Sequence, residues 1–180
     1  MNKNRIAFAV GLWVMLFSFI GCAGGKKLIT STGIHKFKLG DQMPPTGIDH
    51  LRGRSARDTF ELQGDYQWRQ VVLEYRKGNV YLEEDFFGSD YISRVRIYTP
   101  ELALRNGLRV GLAVSDLQTK ASDWTIVPLP DFNLMDLYSR TMPRIHFLID
   151  DPAVAKDKDW SEYKIEQLAP AAPIKGIVVF

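Results

Sequence analysis

The chain has 180 residues, 46 % of them hydrophobic and 24 % charged, with 23 Lys and Arg against 21 Asp and Glu and a single cysteine. Lys3 and Arg5 supply the whole basic excess, so the chain beyond residue 21 is neutral. That excludes the net basic face with which a nucleic-acid binder displaces counterions, and one cysteine excludes an internal disulfide scaffold.

The first predicted element is an export signal. Lys3 and Arg5 precede the apolar run Ile6 to Ile20 (IAFAVGLWVMLFSFI), and no acid occurs before Asp41, the pattern of a basic n-region and an apolar h-region. The run is shorter than the ~20 apolar residues that span a bilayer. Gly21, Ala23, Gly24 and Gly25 surround Cys22. An ordinary signal-peptidase cut before Cys22 would place Phe19 where a small residue is required. The stretch resembles instead the lipobox of bacterial lipoproteins: Ile20, Gly21 and Cys22 fit, and Phe19 replaces the usual Leu. That resemblance implies that residues 1–21 are removed, that Cys22 is acylated, and that its thiol is consumed as a thioether. Two or three acyl chains make attachment stable. Ala23, where an Asp would retain a lipoprotein, implies the outer membrane of a Gram-negative cell, with the domain facing the periplasm.

Residues 22–32 read as the acylated N-terminus and a flexible tether, and residues 33–180 as one domain, a length that supports a sizeable core. Strand signals, short and β-branched or aromatic runs bounded by Gly, Pro, Asn or Asp, fall on Ile34 to Leu39, Gln70 to Arg76, Val80 to Phe86, Ile92 to Tyr98, Trp124 to Val127, Arg144 to Ile149 and Ile174 to Phe180. Lys77-Gly78-Asn79 and Gly88-Ser89-Asp90 read as turns, which makes a three-stranded meander. Its alternation sets Glu83 and Asp85 across from Arg96 and Arg94, a cross-strand use for the acids. Helices are predicted at Val114 to Ser122, Leu134 to Ser139 and Trp160 to Leu168. The fold class is therefore α+β, a mainly antiparallel sheet with two or three short helices. A loose echo links Gly33 to Met43 (GIHKFKLGDQM) with Gly107 to Leu117 (GLRVGLAVSDL): each puts a Gly before an alternating strand, then a Gly-containing turn and an acid.

The segment Ser93 to Ala121 (SRVRIYTPELALRNGLRVGLAVSDLQTKA) is similar to a stretch of the sigma-E-regulated outer-membrane lipoproteins of enteric bacteria, a family of unknown function. The shared features are Ser93-Arg94 opening a strand, Asn106-Gly107 before a second, Gly111 in the turn and Ser115-Asp116-Leu117 opening a helix. Gly64-Asp65-Tyr66, the strand IHFLID and Trp160 extend the likeness over most of the mature chain. This sequence departs from it in having no cysteine within the domain and in ending on IKGIVVF without a basic tail. The resemblance implies an envelope location and a stress-linked role.

No motif names a reaction. His35, His50 and His146 have no metal-ligand spacing, and no nucleophile elbow, Walker loop or dinucleotide fingerprint occurs; no cofactor, metal or catalytic residue is assigned. Glu83-Glu84-Asp85 and Asp150-Asp151 read as solvated faces. One loop, Leu51 to Arg57 (LRGRSAR), gathers Arg52, Arg54 and Arg57 beside His50 as a candidate anion-binding loop for phosphate or carboxylate. The leading reading is a non-catalytic interaction or accessory module, with membrane lipid and an envelope protein as partners. The alternative is a binder of a small apolar or lipid ligand in a cleft lined by Phe86, Phe87, Tyr91, Trp124 and Phe132. An envelope hydrolase comes third.

Overall fold

The computed structural model describes residues 28–45, 56–63, 66–85, 87–129, 132–151 and 163–180. Two sheets account for them. The larger is built from β4 (Ala56–Gln63), β5 (Tyr66–Tyr75), β6 (Gly78–Glu83), β7 (Arg94–Ile97), β9 (Trp124–Leu129), β10 (Leu134–Ser139), β11 (Ile145–Ile149) and β12 (Ile174–Val179). Its order is β4-β5-β6-β7-β12-β11-β10-β9, and every neighbouring pair is antiparallel. The smaller sheet has the order β3-β2-β1-β8, from β1 (Leu28–Thr30), β2 (Gly33–Ile34), β3 (Phe37–Lys38) and β8 (Ala103–Leu104); β1 lies parallel to β8. The helix α1 (Val114–Gln118) has five residues, and Ile165–Gln167 makes a single 3-10 turn.

This corrects the α+β expectation: among the described residues the fold is β-rich, twelve strands with one short helix and one 3-10 turn. Leu134 to Ser139, read as a helix, is β10. It lies between β9 and β11 and turns Met135, Leu137 and Ser139 inward at every second residue, because pairing on both sides outweighs the helix preference of Leu and Met. The helix read from Trp160 shrinks to the 3-10 turn, where Gln167 Oε1 accepts the Lys164 N–H at 2.7 Å; residues 160–162 lie outside the described residues. α1 forms where expected, with Asp116 Oδ2 accepting the Ala113 N–H at 2.9 Å, but stops at Gln118. β4 and β8 lie in stretches read as loop, and β1 lies in the stretch read as tether.

The meander is where the turns place it, with β4 added outside it. Arg76-Lys77 joins β5 to β6, and Gly78 follows at φ +122°, where a Cβ would lie 2.1 Å from the Tyr98 carbonyl oxygen. Glycine alone fits there. One row of side chains crosses all eight strands on the core side: Ala56, Leu73, Val80, Ile97, Ile177, Phe147, Leu137 and Ile126. All but Ala56 are buried, and each fully buried aliphatic or Phe contributes about 1.5–3 kcal/mol. Ile29, Ile34, Phe37 and Leu104 of the small sheet, Val114 and Leu117 of α1, and Ile165 join the same core.

The large sheet is two copies of one plan. β4 to β7 and β9 to β12 are four-stranded meanders whose last strands meet at the centre, Arg96 opposite Val178 with Ile97 on Ile177 and Val95 on Val179. A pseudo-two-fold axis passes through the Arg96–Val178 pair. The lead-ins obey it too. Gly40 N donates to Ile92 O (2.8 Å), Ile92 N to Asp41 O (2.8 Å) and Met43 N to Asp90 O (2.8 Å); Gly111 N donates to Ile174 O (2.9 Å), Ile174 N to Leu112 O (2.7 Å) and Val114 N to Ala172 O (3.0 Å). Gly40 and Gly111 share a positive φ, +83° and +87°. The fold thus repeats a strap followed by a meander in the register Gly40–Gly111, three residues off the Gly33–Gly107 alignment of the sequence echo, and only the second copy carries a helix, so the echo as read does not mark the repeat.

Candidate functional site

The face of the large sheet turned away from the core carries the chain's densest chemistry. Its central row reads Arg57, Val72, Tyr81, Arg96, Val178, His146, Tyr138 and Thr125 across the eight strands. The adjoining row holds Gln70, Glu83 and Arg94 in the first copy, and Asp136, Leu148 and Gly176 in the second.

In the first copy these groups make a closed charged lattice. Glu83 is 0 % exposed. One of its oxygens accepts from Arg94 Nε; the other accepts from Gln70 Nε2 at 2.9 Å and forms an ion pair with Arg96 Nη2 at 2.5 Å. Glu61 accepts from Gln70 and from Arg96. The Arg94 guanidinium lies 6.0 Å from the Trp68 ring, and that of Arg96 5.4 Å from the Tyr81 ring. Two acids thus face two guanidinium groups, the balance that burying charge requires. Burial raises the Glu83 pKa above its ordinary 4.5 against the opposing pull of Arg94 and Arg96. For Arg96 burial works against the charge, but Glu83 and Glu61 outweigh it and raise its pKa. The sequence reading set these acids opposite these arginines; the register pairs Glu83 with Arg94 and Tyr81 with Arg96, so one carboxylate serves both. It also corrects the solvated-face reading for Glu83. Asp85 leaves the ladder and accepts the Phe87 and Ser89 N–H groups at 3.0 and 3.1 Å; the Ser89 bond, first among its causes, lowers its pKa below 3.8.

In the second copy Asp136, Leu148, Gly176 and Val178 stand at the positions of Gln70, Glu83, Arg94 and Arg96, and a ring cluster lies beside them. His146 Nδ1 lies 2.8 and 3.0 Å from the two Asp136 oxygens, and its ring stacks on Tyr138 (4.7 Å, 21°) and meets Phe180 edge-on (4.7 Å, 64°). The pseudo-axis relates His146 and Phe180 to Tyr81 and Tyr98, themselves edge-on at 5.8 Å and 84°. Tyr98 covers Gly176, where a Cβ would come 2.8 Å from its ring. The duplication thus kept the ring contact and gave up the lattice.

The sequence-predicted sites fare unequally. Arg57 stands exposed on β4, its Nε 3.3 Å from Glu74 Oε1, so one arm of the candidate anion-binding loop is an edge-strand ion pair. Cys22, Arg52, Arg54 and His50 lie outside the described residues. Of the five aromatics, Phe86 lies outside the described residues, and the other four do not share one cleft. Phe87 is 94 % exposed at the tip between β6 and β7, and Phe132 is 60 % exposed in the hairpin between β9 and β10, at the other end of the sheet. Trp124 turns to the core and meets Phe147 edge-on at 5.7 Å. Sequence reasoning missed Arg69, which binds Asp58 (3.0 Å), Asp90 (2.8 Å) and the Pro44 carbonyl (3.2 Å) and so ties the edge strand and the first strap to the β6–β7 loop. Its position as the fourth residue of β5 gave no signal of those partners. Among the described residues no group of three or more His, Cys, Asp or Glu is placed to hold a metal ion, and no helix is long and apolar enough to cross a membrane.

Fold and face together define a duplicated two-sheet β protein with a charge-locked outer surface. No protein-family model matches the sequence, and no curated protein matches it. Among solved structures it is similar to that of the uncharacterized protein yfeY from Escherichia coli, at a TM-score of 0.48 and 12 % identity over 69 % of this chain and 80 % of that one.

Proposed function

We propose that this chain is a bacterial cell-envelope lipoprotein, held on the periplasmic face of the outer membrane by acyl chains on Cys22, and that its domain works there as a non-catalytic interaction or accessory module. The observation that carries the reading is the coincidence of a basic start, an apolar run and a lone cysteine among small residues at positions 3–25. The chemistry of the outer face supports the non-catalytic part. Both Glu83 oxygens are taken by Arg94, Arg96 and Gln70, and His146 is fixed by Asp136 between two rings. Groups engaged in this way hold a surface rigid. The exposed aromatics are dispersed, Phe60 on the edge strand β4, Phe87 and Tyr91 together in the β6–β7 loop and Phe132 in the β9–β10 hairpin, which speaks against enclosure of a small apolar ligand among them. The test is an affinity pull-down of the tagged, acylated protein from gently solubilised envelopes, with protein and lipid analysed against a Cys22→Ser control. A stoichiometric protein partner is expected. A lipid or glycan recovered without any protein would overturn the interaction-module reading in favour of a ligand binder.

A further inference from the structure

We propose that the outward side of the small sheet is a docking face for an anionic phospholipid surface, so that the domain lies against the membrane in one fixed orientation. The inference rests on acylation of Cys22, and its first support is the distance to the anchor. Only residues 23–27 separate Cys22 from β1, which opens at Leu28; fully extended, they reach about 20 Å. The sheet that contains β1 must therefore stay within that distance of the headgroups.

The second support is the chemistry of that sheet. Ile29, Ile34, Phe37 and Leu104 point into the core, which leaves the opposite side to the half-buried Leu28 and Ala103 and to the exposed Thr30 and Lys38, the last two joined through Gly33 by the register Thr30–Gly33–Lys38. Lys36 is exposed in the turn between β2 and β3, its Nζ 5.4 Å from the Phe37 ring. Arg105 follows β8 directly, also exposed. None of these three cations forms an ion pair among the described residues, whereas the arginines of the outer-face lattice are all engaged. Asp41, three residues from Lys38, spends an oxygen on the Lys38 N–H at 2.8 Å. Leu28, Thr30 and Ala103 with Lys36, Lys38 and Arg105 about them, on a face kept at the bilayer by its own tether, match phosphate headgroups above an apolar layer. Each cation near such a surface multiplies the docked population about fivefold.

The test uses the full acylated chain, whose anchored cysteine leaves an introduced thiol as its only one. Thr30→Cys probes the docking face and Thr125→Cys, on β9 and the opposite side of the large sheet, serves as the control. Each is labelled with a charged maleimide in vesicles of phosphatidylethanolamine with phosphatidylglycerol, and in vesicles where phosphatidylcholine replaces the anionic lipid. Labelling at Thr30→Cys should be at least fivefold slower in the anionic vesicles. The protection should vanish in phosphatidylcholine, in about 1 M salt, where the screening length is ~3 Å, and in the K36E/K38E/R105E variant; Thr125→Cys should label fast throughout. Equal labelling of the two sites in anionic vesicles, on protein shown to carry palmitate, would overturn the docking face and leave the anchor standing. Protection that persists unchanged in phosphatidylcholine would overturn the charge complementarity. Absence of palmitate from the wild-type chain would overturn both the anchor and this proposal. The salt and lipid arms decide the matter even if the triple variant does not fold.

Discussion

Replacing Gly78 with alanine should unfold this protein more effectively than replacing any solvent-facing glycine of the same backbone conformation. Gly78 has φ +122°, and a Cβ there would lie 2.1 Å from the Tyr98 carbonyl oxygen and 3.0 Å from its carbon. The left-handed backbone alone costs an L-residue about 1–2 kcal/mol. Relieving the overlap requires β6 to move away from the chain at Tyr98, whose N–H donates to Asn79 O at 2.9 Å; losing that bond adds about 1 kcal/mol, and the displaced packing adds a similar amount. The expected loss is about 3–4 kcal/mol, or a Tm fall of about 6–16 °C for a domain of this size. Gly107→Ala is the matched control: φ is +91°, but nothing lies within 4 Å of its Cβ, so only the 1–2 kcal/mol of strain applies. Urea unfolding followed by tryptophan fluorescence, with m unchanged, measures both. If Gly78→Ala and Gly107→Ala cost the same, the close approach of β6 to Tyr98 is wrong.

The charged lattice predicts a pH dependence of definite sign. Because the folded Glu83 pKa lies above its ordinary 4.5, its contribution is fully present below 4.5 and lost as pH rises through the folded value; Glu83→Gln, a mimic of the protonated form, should gain on the wild type across that rise in urea titrations, and a shrinking difference would refute the assignment. Asp85 has the opposite sign: its pKa is lowered, so Asp85→Asn should remove a loss of stability that the wild type shows as pH falls below 3.8. Arg96→Met strands Glu83 beside one guanidinium and should cost about 3–5 kcal/mol at neutral pH, while Glu83→Leu added to it should return most of that loss; no recovery in the double variant would show that Arg96 acts through packing alone. Arg57→Ala breaks only an exposed pair with Glu74, so its stability should stay within about 1 kcal/mol of the wild type by thermal melting.

What was legible in the sequence follows from how much of each element is set locally. β5 to β7 announced themselves because Val80 and Leu82 alternate with polar residues and Gly78 and Gly88-Ser89-Asp90 punctuate them. β10 did not: LMDLYS contains no β-branched residue, and only its neighbours on both sides make it a strand. β4, ARDTFELQ, is an edge strand with one partner, so it needs few apolar residues and reads as loop. The burial of Glu83 is a property of register. Trp68, Arg94 and Arg96 come from two other strands, and nothing in Glu83-Glu84-Asp85 itself separates the enclosed acid from its solvated neighbours. The duplication left one local trace, the paired Gly40 and Gly111, since backbone hydrogen bonds preserve a strap without preserving its side chains. The lone cysteine was the reverse case: its reading rests on the sequence alone, because Cys22 lies outside the described residues.

The measurement that bears most directly on the account is intact-mass analysis and palmitate labelling of the chain expressed in a Gram-negative cell, beside Cys22→Ser. The account predicts a wild-type protein that begins at Cys22, carries acyl chains and stays with the membrane after a high-salt wash, and a variant with no label. A wild-type chain that retains residues 1–21, or a Cys22→Ser variant that still incorporates palmitate, would contradict it.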